Sequence, residues 1–226
     1  NAAGGVDGVP IRYIYYDTTW QARPGVEGFT KLVEVDKVPL VAIGGSAVIP
    51  AVKPLAEEKK IPLVNDAAYL EETEYQGNKY FIGIQVTRQQ MNVSVVEILD
   101  TLGVSKIAIE YGNTAQTVGM ANGIKKIWTD KGKQVVAFEA HELDQKDFRS
   151  MLLKLKTSNP DVLVHIPYAW PEAALFLTQM KQIGWKPPMV STIAVYSNSL
   201  IQQAGDMLEG TIISLSGFDM FDTGNA

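Results

Sequence analysis

His141 and His165 are the only side chains here whose ordinary pKa suits proton transfer near neutral pH. His165 sits inside the apolar run Val162–Ile166, where the pattern predicts a satisfied structural histidine. His141 stands beside Glu142 and Asp144 and is expected to be a solvated loop residue. Ser46, in Ile43-Gly44-Gly45-Ser46-Ala47, has the look of a serine elbow, but that turn needs glycine two residues on and the position is Val48. It is therefore expected to donate a hydrogen bond to a ligand. Gly4-Gly5-Val6-Asp7-Gly8 follows no visible strand and reads as a turn. G-x-x-x-x-G-K-[ST], H-E-x-x-H and strand-linked G-x-G-x-x-G patterns are absent. The acidic pairs Glu57-Glu58 and Glu71-Glu72 read as solvated faces. No catalytic residue, metal site or cofactor is expected, and the chain reads as a binder rather than an enzyme.

Composition narrows the partners. The 226 residues are 46% hydrophobic and 20% charged, enough apolar surface for a packed core. A formal charge of -5 opposes nucleic acid as a partner, because phosphate binding needs a basic stripe. No apolar run approaches the roughly 20 residues that span a bilayer. With no cysteine there is no disulfide framework and no thiolate chemistry. The ends, NAAGGVDG and Asp222-Thr223-Gly224-Asn225-Ala226, read as a trimmed piece of a longer protein.

The elements that must position these residues alternate in period. Short runs rich in Val, Ile and aromatics predict strands at Ile11–Tyr16, Pro39–Ile43, Ile61–Val64, Tyr80–Ile84, Lys106–Tyr111, Gln134–Phe138, Val162–Ile166, Met189–Ser191 and Thr211–Leu215. Helical spacing lies between them, as in Val95, Ile98, Leu99 and Leu102, with Gly103, Gly132 and Gly184 as left-handed caps. Strand–helix alternation with short joints predicts an α/β fold of parallel strands. Chain boundaries are expected near Ile84–Arg88 and Glu209–Thr211, giving a first part over 1–85, a second over 86–209 and a return crossover over 210–226.

In open parallel sheets, ligands bind beyond the carboxyl ends of the strands. The residues there include Trp20, Gly45, Ser46, Asp66, Ala67, Ala68, Gln116, Tyr168, Thr192 and Ile193, which are the candidate site. They are mostly neutral, small or aromatic, and suit hydrogen bonding and stacking on a small molecule.

Six segments carry a family resemblance: Asn1–Gly8, Lys31–Val38 (KLVEVDKV), Val52–Val64 (VKPLAEEKKIPLV), Asp147–Lys156 (DFRSMLLKLK), Asn159–Leu163 (NPDVL) and Pro171–Gly184 (PEAALFLTQMKQIG). In this order they resemble the type I periplasmic binding proteins of branched-chain amino-acid type, the substrate-binding proteins of ATP-binding-cassette (ABC) importers. The resemblance implies two doubly wound parallel-sheet lobes joined by a hinge, incomplete at both ends here, that close on a small-molecule ligand. It implies delivery to the membrane subunits of an ABC importer, and a periplasmic or lipoprotein location. The family's ligand serine matches Ser46, after Gly45. Its Ser-Pro-x-Ala-Thr loop reads Asn65-Asp66-Ala67-Ala68-Tyr69, its ligand-facing tyrosine is Gln116, and its ammonium-gripping acid falls at Ile193. These departures predict a ligand without an α-ammonium, such as an aromatic or other small organic acid or amide.

Three alternatives differ in kind. A ligand-sensing domain of the same fold in a receptor or regulator would be marked by what precedes Asn1. A branched-chain amino-acid binder would need another acid, with Asp66 as candidate. A serine hydrolase would need Ser46 with one of the two histidines.

Overall fold

The computed structural model describes residues 4–215 and divides into two units. The first comprises residues 1–68 and 73–85, and the second comprises residues 69–72 and 86–226. The expected return crossover over 210–226 lies for the most part outside the described residues.

The first unit contains helix α1 (Ala22–Thr30), continued by a π-helical turn over Lys31–Val35, and strand β1 (Val41–Ile43). Helix α2 (Val48–Lys59), β2 (Leu63–Asn65) and β3 (Phe81–Gly83) follow. The strands run parallel in the order β1-β2-β3, with Val41 beside Leu63 and Leu63 beside Phe81. Alternation buries Val41 and Ile43 while Ala42 is exposed, and α2, packed on β2 and β3, buries Val48, Ile49, Val52 and Ala56.

The expected strand Ile11–Tyr16 is not formed. Residues 11–18 have no regular structure, and Ile11, Tyr13 and Tyr15 are exposed. Tyr13 and Tyr15 do stack on one side of the backbone with centroids 6.1 Å apart, as a period of two requires. Periodicity gave the local direction of the chain, but a strand also needs a paired neighbour, and this segment joins neither sheet.

The second unit contains α3 (Arg88–Thr101), β4 (Lys106–Gly112), α4 (Ala115–Asp130), β5 (Gln134–His141) and α5 (Arg149–Thr157). It continues with β6 (Val162–Ile166), α6 (Trp170–Gln182), β7 (Met189–Thr192), α7 (Asn198–Leu208) and β8 (Ile212–Ser214). All five strands are parallel, in the order β5-β4-β6-β7-β8. The remaining strand expectations hold to within a few residues at each end.

Each face of this sheet has its own core. Ile107, Ile109 and Tyr111 of β4 and Val162, Val164 and Ile166 of β6 pack with Val95 and Leu99 of α3 and Ile124 and Trp128 of α4. Ala108 and Leu163 face the other way, toward Leu152 of α5, Phe176 of α6 and the N-capping Phe148. Helix starts are fixed locally: Thr87 and Gln90 form a capping box on α3, and Thr114 and Thr117 form one on α4.

Trp128 is fully buried, donates from Nε1 to the Gln134 carbonyl at 3.1 Å, and lies under Lys133 Nζ at 4.1 Å. Trp128→Ala is expected to destabilise the second unit by about 3–5 kcal/mol. The drop would be read as a lower urea midpoint in far-UV circular dichroism.

Candidate functional site

Strand ends of the first unit bring six of the candidate residues into one neighbourhood. Gly45 has φ +95°, a conformation that glycine adopts without a Cβ clash. Any Cβ there would stand 2.9 Å from Cε3 of Trp20, and one on Gly44 would stand 2.9 Å from the Ala67 Cβ and 3.4 Å from Trp20 Cζ3. The indole of Trp20 therefore lies on the Gly44-Gly45 turn, with Ser46 half-buried directly after it.

Asn65, at the end of β2, organises the next loop. Its Oδ1 accepts the Ala68 N–H at 3.0 Å and the Ala67 N–H at 3.4 Å, while its Nδ2 donates to the Ala68 carbonyl at 2.8 Å and to Tyr75 Oη at 2.9 Å. The amides of Ala67 and Ala68, expected to meet a ligand, are instead taken up inside the loop. Asp66 and Ala67 are left exposed and Ala68 is fully buried. Asn65 was visible as a strand-end amide, but its tie to Tyr75 spans ten residues and has no local signature.

In the second unit the chain leaves β4 toward β5 on one side and returns past it to β6 on the other. The carboxyl ends of β4 and β6 thus flank the switch point of the sheet, where open α/β sheets bind ligands. Gln116, half-buried in the first turn of α4, follows β4, and half-buried Tyr168 follows β6. Thr192 is buried at the end of β7. Ile193 opens the short 3-10 turn Ile193–Val195, and its side chain lies outside the described residues.

Beneath these loops lies a buried charge cluster. Period two places Glu110 on the same face as Ala108, and the parallel register sets it opposite His165. His165 Nδ1 is hydrogen-bonded to Glu110 Oε2. His141 Nδ1 lies 2.5 Å from Glu110 Oε1, and its Nε2 lies 3.3 Å from Glu172 Oε1. Glu110 and His165 are wholly buried. The His165 ring stacks on Phe176 at 4.7 Å, and His141 meets the edge of Phe148 at 5.1 Å.

This corrects the expectation for His141: it closes the edge strand β5 and is 2% exposed. The reason is tertiary, since Glu110 and Glu172 draw the imidazole inward from distant parts of the chain. His165 is a structural histidine, as its apolar strand suggested. The acidic pairs also differ from expectation, because Glu71 pairs with Arg88 Nε at 3.1 Å and Glu57 accepts the Lys79 N–H at 2.9 Å.

Burial by itself pushes the Glu110 carboxyl up, but the charge and hydrogen bond of His165, with the His141 imidazole beside it, outweigh it and bring it down to about 2. Burial likewise opposes charge on His141, and the adjacent Glu110 and Glu172 carboxylates overcome it and raise it to about 9.

A family model described as "Periplasmic binding protein" matches residues 1–226. The chain belongs to the periplasmic binding proteins. Within that family its relatives place it among the type I, leucine-binding-protein-like members. It is 28% identical to a Leu/Ile/Val-binding protein homolog of Brucella melitensis over 94% of this chain and 57% of the relative. Two solved structures share the fold. A solute-binding protein from Rhodopseudomonas palustris in complex with 4-hydroxybenzoate superposes with a TM-score of 0.78 at 23% identity, covering 90% of this chain and 56% of that one. The branched-chain amino-acid transporter substrate-binding protein from Streptococcus pneumoniae in complex with isoleucine gives 0.76 at 23% identity, over 90% and 58%. This periplasmic binding protein chain thus spans a little over half the length of these relatives. Among its described residues no helix is long and apolar enough to cross a membrane.

Glu110→Gln removes the charge that both imidazoles share and is expected to cost about 3–5 kcal/mol. The wild-type stability profile follows from the two shifts. Glu110 titrates near 2 folded against 4.5 unfolded, so its contribution is complete above pH 4.5 and is lost as pH falls toward 2. His141 titrates near 9 folded against 6.5 unfolded, so its contribution is complete below pH 6.5 and is lost as pH rises through 9. Thermal unfolding across pH should therefore peak between these limits, and Glu110→Gln should flatten the alkaline decline.

Proposed function

We propose that this chain is the ligand-capturing part of a periplasmic substrate-binding protein that serves an ABC importer, and that its ligand is a small aromatic or other organic acid without an α-ammonium. The observation that carries the ligand class is the engagement of Glu110, Glu142 and Glu172 at the carboxyl end of the second sheet. Glu110 is enclosed between two imidazoles, and Glu172 accepts the Tyr168 N–H and lies against His141. Glu142, at the same edge, accepts from Asn113 Nδ2 at 2.8 Å. An ammonium buried here without a carboxylate would cost several kcal/mol. The position matching the family's acid is Ile193.

The contacts are assigned to the strand-end loops of each unit. In the first, Ser46 supplies a hydroxyl and Trp20, beside the Gly44-Gly45 turn, a ring for stacking. In the second, Gln116 supplies an amide and Tyr168 a ring and a phenol, with Thr192 and Ile193 following β7. The 4-hydroxybenzoate carried by a fold relative makes that acid a suitable probe. A second reading, an amino-acid ligand, is favoured by the names of the relatives and by exposed Asp66, the candidate counter-charge.

Calorimetric titration of the full-length protein separates the two. Micromolar or tighter binding of 4-hydroxybenzoate or a related acid is expected, with isoleucine and leucine silent. Ser46→Ala and Tyr168→Ala should each weaken that binding by about ten- to a hundredfold. Micromolar binding of a free amino acid, abolished by Asp66→Asn, would overturn the reading.

A further inference from the structure

The buried cluster reaches the Tyr168 loop through the side chain of Glu172. Glu172, in the first turn of α6, accepts the backbone N–H of Tyr168 with the same Oε1 that lies 3.3 Å from His141 Nε2. Gly112, at the end of β4, leaves room for this approach. A Cβ there would stand 3.1 Å from Glu172 Oε1, 3.3 Å from Tyr168 Cβ and 3.4 Å from His141 Nε2. Backbone, loop and imidazole thus converge on one carboxylate whose side chain is 9% exposed.

We propose that Glu172 is a positioning residue, whose carboxylate ties the Tyr168 backbone to the proton on His141 so that the loop is held in place only while that proton is present. Its neighbours agree with this. Among the described residues, the charged or titratable groups against His141 are Glu110 from β4 and Glu172 from α6, with His165 of β6 reached through Glu110. The helix side contributes the apolar Phe148 ring. Loss of the His141 proton leaves Glu172 nearly buried without its counter-charge, which favours turning the carboxylate toward water and releasing the Tyr168 N–H. The direction of the His141 shift, up to about 9, puts that release on the alkaline side of neutrality. The consequence for ligand capture rests on the function proposed above; the tie itself does not.

Selective 15N-tyrosine labelling of the full-length protein tests it, since the chain has nine tyrosines and Tyr168→Phe identifies the signal wanted. Between about pH 6 and about pH 10 the Tyr168 amide should shift, or be lost to exchange while that of Tyr111 in β4 persists, with the midpoint of the His141 ring. Glu172→Gln keeps an oxygen acceptor for the amide but carries no charge, and its Tyr168 signal should no longer follow His141. A wild-type Tyr168 signal that stays flat while His141 titrates would overturn the proposal, as would a Glu172→Gln signal that titrates like the wild type. Titration of 4-hydroxybenzoate at both ends of the range is the binding arm. Weaker binding on the alkaline side in wild type, and not in Glu172→Gln, links the tie to capture. If that acid fails to bind at any pH, the ligand reading fails while the amide titration still decides the role of Glu172.

Discussion

A carboxylate with no exposed surface must be compensated where it stands, and Glu110 is compensated twice. His165 reaches it from the neighbouring strand β6 and His141 from the edge strand β5, so one carboxylate links three adjacent strands at their carboxyl ends. An unpaired charge in this place would be strongly destabilising, so the strands cannot slip in register without exposing that cost. Replacing such a buried set by packed hydrophobic residues of similar volume is often neutral or stabilising. What the cluster adds is specificity: it fixes which residues end the strands at the switch point, and therefore where the loops after them begin.

The first unit holds its loop by a different means. Asn65 is neutral, and its amide satisfies two N–H groups, one carbonyl and the Tyr75 hydroxyl, so this support of the loop carries no charge to titrate. Beyond β6 the equivalent task falls to Glu172, an anion in the first helical turn, where the helix dipole favours it and a partner of opposite charge is near. Uncharged support makes a loop indifferent to pH; charged support makes its position conditional. The charged support thus lies in the second unit alone of these two loops.

Much of the fold was legible because periodicity is a local property. The eight strands among the described residues lie where runs such as Val162–Ile166 predicted them, since branched residues bounded by turn signals need no distant information. The Ile11–Tyr16 run carried the same signal and fails, because pairing depends on what lies beside a segment. His141 was misplaced for a related reason. Glu139-Ala140-His141 reads as a polar exit from a strand, and edge strand β5 tolerates partial exposure along its length. The partner that buries its last residue lies 31 positions earlier. One signal was available: Glu110 interrupts the inward face of an otherwise apolar strand, and His165 does the same in the next, so a buried acid and a buried base each called for a partner.

Ligand class is harder to read than fold because the two are written in different residues. Proteins that share this fold at 23% identity bind isoleucine in one case and 4-hydroxybenzoate in another, so the sheets do not select the ligand. Selection belongs to a few strand-end positions, and there the identity of a residue says less than its commitments. Glu172 would count as a free acid near the ligand loops if only its position were known. Its bonds to Tyr168 and its closeness to His141 turn it into part of the frame. A guest ammonium would have to compete with a protonated imidazole already in place, and the loop would lose its support in the exchange. The arrangement therefore disfavours a cationic group at this end of the sheet by two linked costs.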